Sequence, residues 1–507
     1  YDRMRYSYQE YFERMHTETS WGNPLAALLG ALRMQIELGL PSIGGKDSMS
    51  GTFQNINVPP MLMAFGITTV DARTVISPEF KAAGHNIYII RHTPRANHMP
   101  DSEALKRNFD FVSTSIEHGD IIAAYAVGFG GVVEAVSKMS FGNCVGADVQ
   151  MEEHKLFDYA YGSIVVEAVG ELDYPAAEKI GTTTTAAEVV FNGERFAVDE
   201  LQKVNSRKFC SVYPDRGIEG GTTRASMPER REVKYEGKPV DEVKVYIPVF
   251  SGTNCDYDTA KAFERAGAHV ATSVFCDLTA DDIFASIETM KRMIDGCHIF
   301  VLSGGFSAGD EPDGSGKFIA NVLNNRKITD AIHALLDRGG LILGICNGFQ
   351  ALVKSGLLPY GRLGCVGKES PTLFRNDINR HVSQIVTTRV ATVNSPWLSS
   401  FEVGELHSIA VSHGEGKFVV SDEMAEELFR NGQVAFQYVD PDGNATLRAP
   451  YNPNGSSFGI EGIISRDGHI LGKMGHTERY EDGLFKNIAG NKVQEIFANA
   501  VNYFKGK

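Results

Sequence analysis

A cysteine set between two glycines ends the apolar run Leu341-Ile342-Leu343-Gly344-Ile345-Cys346-Asn347-Gly348-Phe349-Gln350, and this is where the chain is best equipped for chemistry. The run reads as a strand that turns sharply into a helix. Such a turn passes through a strained backbone position, and flanking glycines relieve the crowding there. Cys346 is thereby thrust above the sheet edge. The helix beginning near Gly348 aims free backbone N–H groups at the sulfur, an arrangement suited to a nucleophilic thiolate. The ten residues alone are equally compatible with a small buried hydrophobe at the end of a core strand.

A thiol nucleophile needs a base, and the base needs a group to hold it. Two segments offer a histidine and a glutamate two apart: Gly475-His476-Thr477-Glu478-Arg479 and Ser412-His413-Gly414-Glu415-Gly416. In extended chain, residues at that spacing point to one side. Either histidine could take the thiol proton and return it to a leaving amine while the glutamate fixes its tautomer. Residue chemistry does not separate the two. Gly304 and Gly305, in Ser303-Gly304-Gly305-Phe306-Ser307, follow an apolar strand at 298–302. Backbone N–H groups of Gly305 and Asn347 could converge on the oxyanion formed when Cys346 attacks a carbonyl. Read alone, the two glycines are an ordinary tight turn.

Near the start, Pro41-Ser42-Ile43-Gly44-Gly45-Lys46-Asp47-Ser48-Met49-Ser50-Gly51 reads as a glycine-rich turn with a cation and an anion side by side. Its backbone and Lys46 could hold a phosphate while Asp47 faces a metal ion. It lacks the Walker spacing, and residue chemistry alone favours a solvated Lys–Asp pair.

The elements that position these groups follow from periodicity. Asn23-Pro24 reads as a helix cap and first-turn proline. Leu25, Leu28, Leu29, Leu32 and Ile36 follow at helical spacing, one face packing into a core, until Gly39 stops the helix. Residues 60–70 read as a buried strand, completing a compact α/β unit near Asp71. From Gly84 to about Asn205 strands and helices alternate as an α/β or α+β layer, with Thr182 to Thr185 as a polar connection or edge. Residues 206–242 lack periodicity and read as a linker. From Val243 the pattern is βαβ, hence a parallel sheet whose ligands gather beyond the carboxyl ends of its strands. The last hundred residues read as antiparallel strands.

With 507 residues, 43% hydrophobic and 22% charged, the chain is too long for one core. No run of about 18 uncharged apolar residues suggests a membrane helix. Seven cysteines without paired spacing fit neither a disulfide framework nor a zinc site and imply a reducing cytoplasm. A net charge of −14 with dispersed lysines and arginines gives no footprint for nucleic acid. Small molecules are the expected partners.

Gly344-Ile345-Cys346-Asn347-Gly348-Phe349-Gln350 resembles the G-x-C-x-G-x-Q elbow of class I, triad-type glutamine amidotransferases, and Met474-Gly475-His476-Thr477-Glu478-Arg479 resembles their M-x-H-P-E-R segment. Residues 304–310 and 412–416 narrow the resemblance to the glutaminase domain of the phosphoribosylformylglycinamidine synthase family. Residues 43–50 resemble the P-V-G-K-D-S-[LM]-S segment of the synthase portion of the same family. The likeness implies residues 1–71 and 72–205 as two subdomains of an aminoimidazole-ribonucleotide-synthetase-like half, 206–242 as a linker, and 243–507 as a flavodoxin-like glutaminase domain. It implies Cys346, His476 and Glu478 as the triad, Gly304, Gly305 and Asn347 around the oxyanion, and Gln350 as a contact to substrate glutamine. His413 falls in a loop lining the site, and Lys46, Asp47 and Ser48 belong to a nucleotide site. ATP, magnesium, glutamine and formylglycinamide ribonucleotide are the implied ligands, and the first synthase half ahead of Tyr1 is the implied partner. The sequence departs from the family in length, since the single-chain enzyme is expected to be more than twice as long, and at two positions. Thr477 stands where the family has proline, and that proline carries no proton. Phe129, in Gly128-Phe129-Gly130-Gly131, stands where the family has the aspartate expected to ligate magnesium, and phenylalanine cannot do so. Two rival readings are a cysteine hydrolase of another amide and a non-catalytic partner subunit.

Overall fold

The computed structural model describes residues 1–213, 220–226, 228–310, 314 and 316–506. They form a multidomain α/β structure of two compact units, Tyr1–Lys208 and Phe209–Lys507.

The first unit holds a three-stranded sheet, a seven-stranded sheet and a two-stranded ribbon of Thr52–Phe53 with Ile56–Asn57. The three-stranded sheet has Arg5–Tyr11 at its centre, parallel to Ser42–Ser48 and antiparallel to Met61–Ile67. The glycine-rich stretch expected as a turn is therefore mostly strand, because Arg5–Tyr11 supplies a ladder from a distant part of the chain. Lys46 pairs with Gln9 and Asp47 with Glu10. The strand expected to be buried at 60–70 spans Met61–Ile67 and is largely exposed, with Phe65 and Ile67 open to solvent.

The first helix runs Glu18–Leu38 rather than starting at Asn23-Pro24. Thr17 is a stronger cap: its hydroxyl accepts from the Ser20 amide while the Ser20 hydroxyl accepts from the Thr17 amide. Pro24 lies inside the helix, where it forgoes one backbone hydrogen bond. Gly39 ends the helix with φ 73°, as expected. The apolar face expected to pack into a core is exposed in this chain: Leu25, Leu29 and Ile36 are 58%, 58% and 72% accessible.

The larger sheet of this unit has seven strands. The threonine run is not a connection or an edge. It ends the strand Ala177–Thr184, which lies inside the sheet between Asn86–Ile90 and Gly146–Val149, and β-branched side chains suit such a position. Helices Ser102–His118 and Gly131–Phe141 belong to the same unit.

The second unit is built on one nine-stranded sheet. Five strands are parallel, in the order His269–Val274, Lys244–Val249, Ile299–Leu302, Leu341–Ile345, Ile470–Lys473. Four antiparallel strands follow: Ile460–Ile464, Val434–Tyr438, Val382–Val390 and Leu406–His413. The inner strands Ile299–Leu302 and Leu341–Ile345 are apolar on both faces and wholly buried, whereas the edge strand His269–Val274 is partly exposed. Much of the stretch read as a linker lies along this unit, although 214–219 and 227 fall outside the described residues. Thr222 bridges Thr446, the Ser226 amide donates to Gln437, the Arg231 amide donates to Asn394, and Tyr235 packs edge-on against Phe504.

The join between sheet and helix at Cys346 admits no extra atom. A Cβ at Gly348 would lie 1.9 Å from the Leu302 carbonyl oxygen, and one at Gly344 would lie 2.8 Å from the Gly348 carbonyl. Gly348→Ala should therefore destabilise the second unit by about 2–4 kcal/mol, read as a lower midpoint of urea unfolding. An unchanged midpoint would mean the helix is not seated on the strand as described.

Candidate active site

Cys346 follows the strand Leu341–Ile345 and caps the helix Asn347–Ser355. Its backbone is at φ 52° and ψ −105°, a region L-residues avoid, and it is held there by packing on both sides. Its amide donates to the Lys473 carbonyl at 2.8 Å. The side chain is 6% exposed, at the floor of a pocket of about 350 Å³ lined also by Gly305, Phe306, Gln350, Arg375, His413 and Glu415.

His476 comes from the neighbouring strand. Ile470–Lys473 pairs in parallel with Leu341–Ile345, Ile345 opposite Lys473, so both strands deliver their carboxyl ends to one side. The His476 amide donates to the Ala410 carbonyl at 2.8 Å, and its ring Nδ1 meets Glu478 Oε1 at 2.6 Å. Burial works against charge on this imidazole. The Glu478 carboxylate, with hydrogen bonds to Cys255, Cys346 and Glu478, outweighs it and holds His476 well above the ordinary histidine range. Burial likewise opposes the charge on Glu478, and His476 keeps its carboxyl below the usual range. Cys346 thus sits beside a hydrogen-bonded His476–Glu478 pair delivered by the neighbouring strand. Gly304 is required beside it: a Cβ there would lie 2.9 Å from the His476 ring and 3.5 Å from the Cys346 Cβ.

Between the two H-x-E segments the geometry does discriminate. His413 ends the strand Leu406–His413 in full burial, and its Nε2 accepts from the Asn454 amide at 3.1 Å, so its lone pair is turned away from a base role. Burial, with His476 and His381 nearby, lowers its pKa to about 3. Among its neighbours, Gln350 is 3% exposed and uses its amide to hold the site together: Nε2 donates to the Glu415 carbonyl at 2.7 Å and Oε1 accepts from Asn347 at 2.8 Å. Asn347 Oδ1 accepts from the Ser307 amide, tying the glycine turn to the elbow. Lys46, Asp47 and Ser48 lie on a strand of the first unit, where Lys46 Nζ donates to the Asp47 carbonyl at 3.1 Å and to the Ser48 hydroxyl at 2.5 Å.

Three groups beside Cys346, His476 and Glu478 were not singled out as site residues from the sequence. Cys255 is buried with its sulfur 3.9 Å from His476 Nδ1, and Arg479 donates to that sulfur at 2.9 Å. Nothing local marks a lone cysteine in a loop. Lys473, wholly buried, is the third; a lysine interrupting the apolar Ile470-Leu471-Gly472 run was a usable signal.

A cysteine elbow beside a His–Glu pair at the carboxyl edge of a parallel sheet defines a cysteine-dependent amidotransferase fold. Residues 242–504 match the CobB/CobQ-like glutamine amidotransferase domain, and the chain belongs to that family. Within it, the chain is 33% identical over 253 residues to the phosphoribosylformylglycinamidine synthase subunit PurQ of Gloeobacter violaceus, covering 50% of this chain and 96% of that one. It is 35% identical over 259 residues to PurQ of Chlorobaculum tepidum, covering 51% and 97%. Among solved structures it is similar to a chain of PurLQS from Thermotoga maritima, at 27% identity over 52% of this chain and 99% of that one, with a TM-score of 0.38. It is also similar to Thermotoga maritima PurL complexed with ATP, at 15% identity over 47% of this chain and 42% of that one, with a TM-score of 0.32.

The buried His413 gives a pH test. The unfolded imidazole binds a proton below about 6.5, whereas the folded one does so only near about 3. Its contribution to stability is complete above the unfolded value and is lost as pH falls through that window. His413→Asn should remove a slope of up to roughly 1.4 kcal/mol per pH unit from the unfolding free energy between pH 6 and 4. Parallel curves for the two proteins would show that His413 titrates normally.

Proposed function

We propose that this chain supplies the glutaminase and the second synthase half of a phosphoribosylformylglycinamidine synthase. The enzyme uses glutamine and ATP to convert formylglycinamide ribonucleotide to formylglycinamidine ribonucleotide in purine biosynthesis. The observation that carries the reading is Cys346, lining a pocket, beside the hydrogen-bonded His476–Glu478 pair, in a unit belonging to the glutamine amidotransferase family.

Cys346 Sγ attacks the side-chain amide carbon of glutamine. Backbone N–H groups of Gly305 and Asn347 receive the oxyanion, with Gly304 leaving room for the ring beside them. His476 carries the thiol proton to the departing nitrogen, ammonia leaves, and a γ-glutamyl thioester remains on Cys346. Water, deprotonated by His476, then frees glutamate and restores the thiol. Glu478 fixes the ring and supports its charge in between. Gln350 and His413 shape the pocket wall.

The synthase half includes residues 1–71 and 72–205, with a nucleotide site at Lys46, Asp47 and Ser48. The residues present do not fit magnesium at the position of Phe129, which is 74% exposed and stacked on Tyr159 at 4.9 Å. That observation favours a second reading for this half, in which it completes a site whose metal ligands lie elsewhere. The exposed apolar faces of Glu18–Leu38 and Met61–Ile67 support a large partner, and the first half of the same synthase is the one the family likeness supplies. Among the described residues no helix is long and apolar enough to cross a membrane. Seven free cysteines support a cytoplasmic home.

Cys346→Ala should lower glutamine hydrolysis by roughly five to six orders of magnitude; retained turnover would remove the assignment. The purified chain should hydrolyse glutamine yet form no amidine from formylglycinamide ribonucleotide and ATP, and ATP-dependent product from this chain alone would refute the division of labour.

A further inference from the structure

We infer that Lys473, acting with Thr477, Gln494 and Glu461, is the positioning device that fixes the residues on both sides of His476. The inference rests on His476 being the base of the glutaminase triad.

Lys473 is 0% exposed, and a buried ammonium is costly unless its hydrogen bonds are met. Its Nζ donates to the Gly475 carbonyl at 2.9 Å and to the Thr477 hydroxyl at 2.9 Å, so it grips the residue before His476 and the residue after it. Glu461 Oε1 lies 3.6 Å from the same nitrogen and accepts the Gly475 amide at 2.5 Å. The Phe436 ring lies 5.3 Å beneath the ammonium. The Thr477 hydroxyl accepts from Lys473 and donates to Gln494 Oε1 at 2.6 Å, so its orientation is set by partners on two elements.

A proline at position 477 would restrict the backbone of His476 through its ring. Threonine has no such ring, and here hydrogen bonds do the work instead. The same lysine reaches the nucleophile, since its carbonyl accepts the Cys346 amide at 2.8 Å. One residue therefore joins both reacting side chains; burial lowers its pKa, and the carboxylates of Glu461 and Glu478 oppose that shift.

The test is glutamine hydrolysis by the full chain. Thr477→Val removes the hydroxyl at nearly constant volume. It should lower kcat about 10- to 100-fold while KM for glutamine stays within about twofold. Thr477→Ser should restore kcat. Lys473→Met should be impaired more severely, and Lys473→Met combined with Thr477→Pro should recover beyond Lys473→Met alone, because the ring replaces the bonds. Wild-type kcat in Thr477→Val would overturn the inference, as would a change confined to KM or a double variant no better than the single. If Lys473→Met does not fold, the Thr477→Val and Thr477→Ser pair decides. Cys346→Ala separates the two levels: activity retained there defeats the triad itself, whereas an inactive Cys346→Ala beside a normal Thr477→Val defeats only the positioning role.

Discussion

The whole candidate site depends on one strand pairing. Residues 342–345 lie in parallel register with 470–473, and the last rung is the hydrogen bond from the Cys346 amide to the Lys473 carbonyl. A one-residue slip would turn every side chain of a strand to the opposite face. Here it would separate the sulfur from the imidazole. The register is well specified because both strands are buried on both faces and close neighbours are glycines: Gly344 lies opposite Gly472, and a Cβ at Gly472 would strike Phe349.

Around that rung the protein concentrates charge in a place that disfavours it. Lys473, Glu461, His476 and Glu478 are all buried, and each group is tolerable only because another faces it. Burial presses Lys473, His476 and Glu478 towards neutrality, and their mutual attraction holds His476 and Glu478 ionised. Such a cluster is rigid because removing any one member strands a partner. This is the electrostatic setting a base needs if it must hold a proton between two half-reactions without moving.

How much of this was legible in the sequence varies with how local its cause is. The elbow was readable, because a sharp strand-to-helix turn requires small residues at fixed offsets, and Gly344 and Gly348 occupy them. The choice between His476 and His413 was not, since it is made by Glu478 in one case and by Asn454, more than forty residues downstream, in the other. The family likeness, rather than residue chemistry, pointed to His476. Periodicity correctly located an apolar stripe from Leu25 to Ile36, but it cannot say what covers the stripe, and among the described residues nothing does. Glycines at 44 and 45 suggested a turn because strand pairing with residues 5–11 is invisible locally. The first helix starts ahead of Asn23-Pro24 because the Thr17–Ser20 cap, seven residues before the proline, is the stronger start signal.

The left-handed backbone at Cys346 sets folding against chemistry at a single residue. Any side chain there must adopt a conformation that only glycine accepts freely, so a lineage drifting under selection for robustness alone would be drawn towards losing the sulfur. The sulfur stands there between Gly344 and Gly348, neither of which has a Cβ to add to the strain.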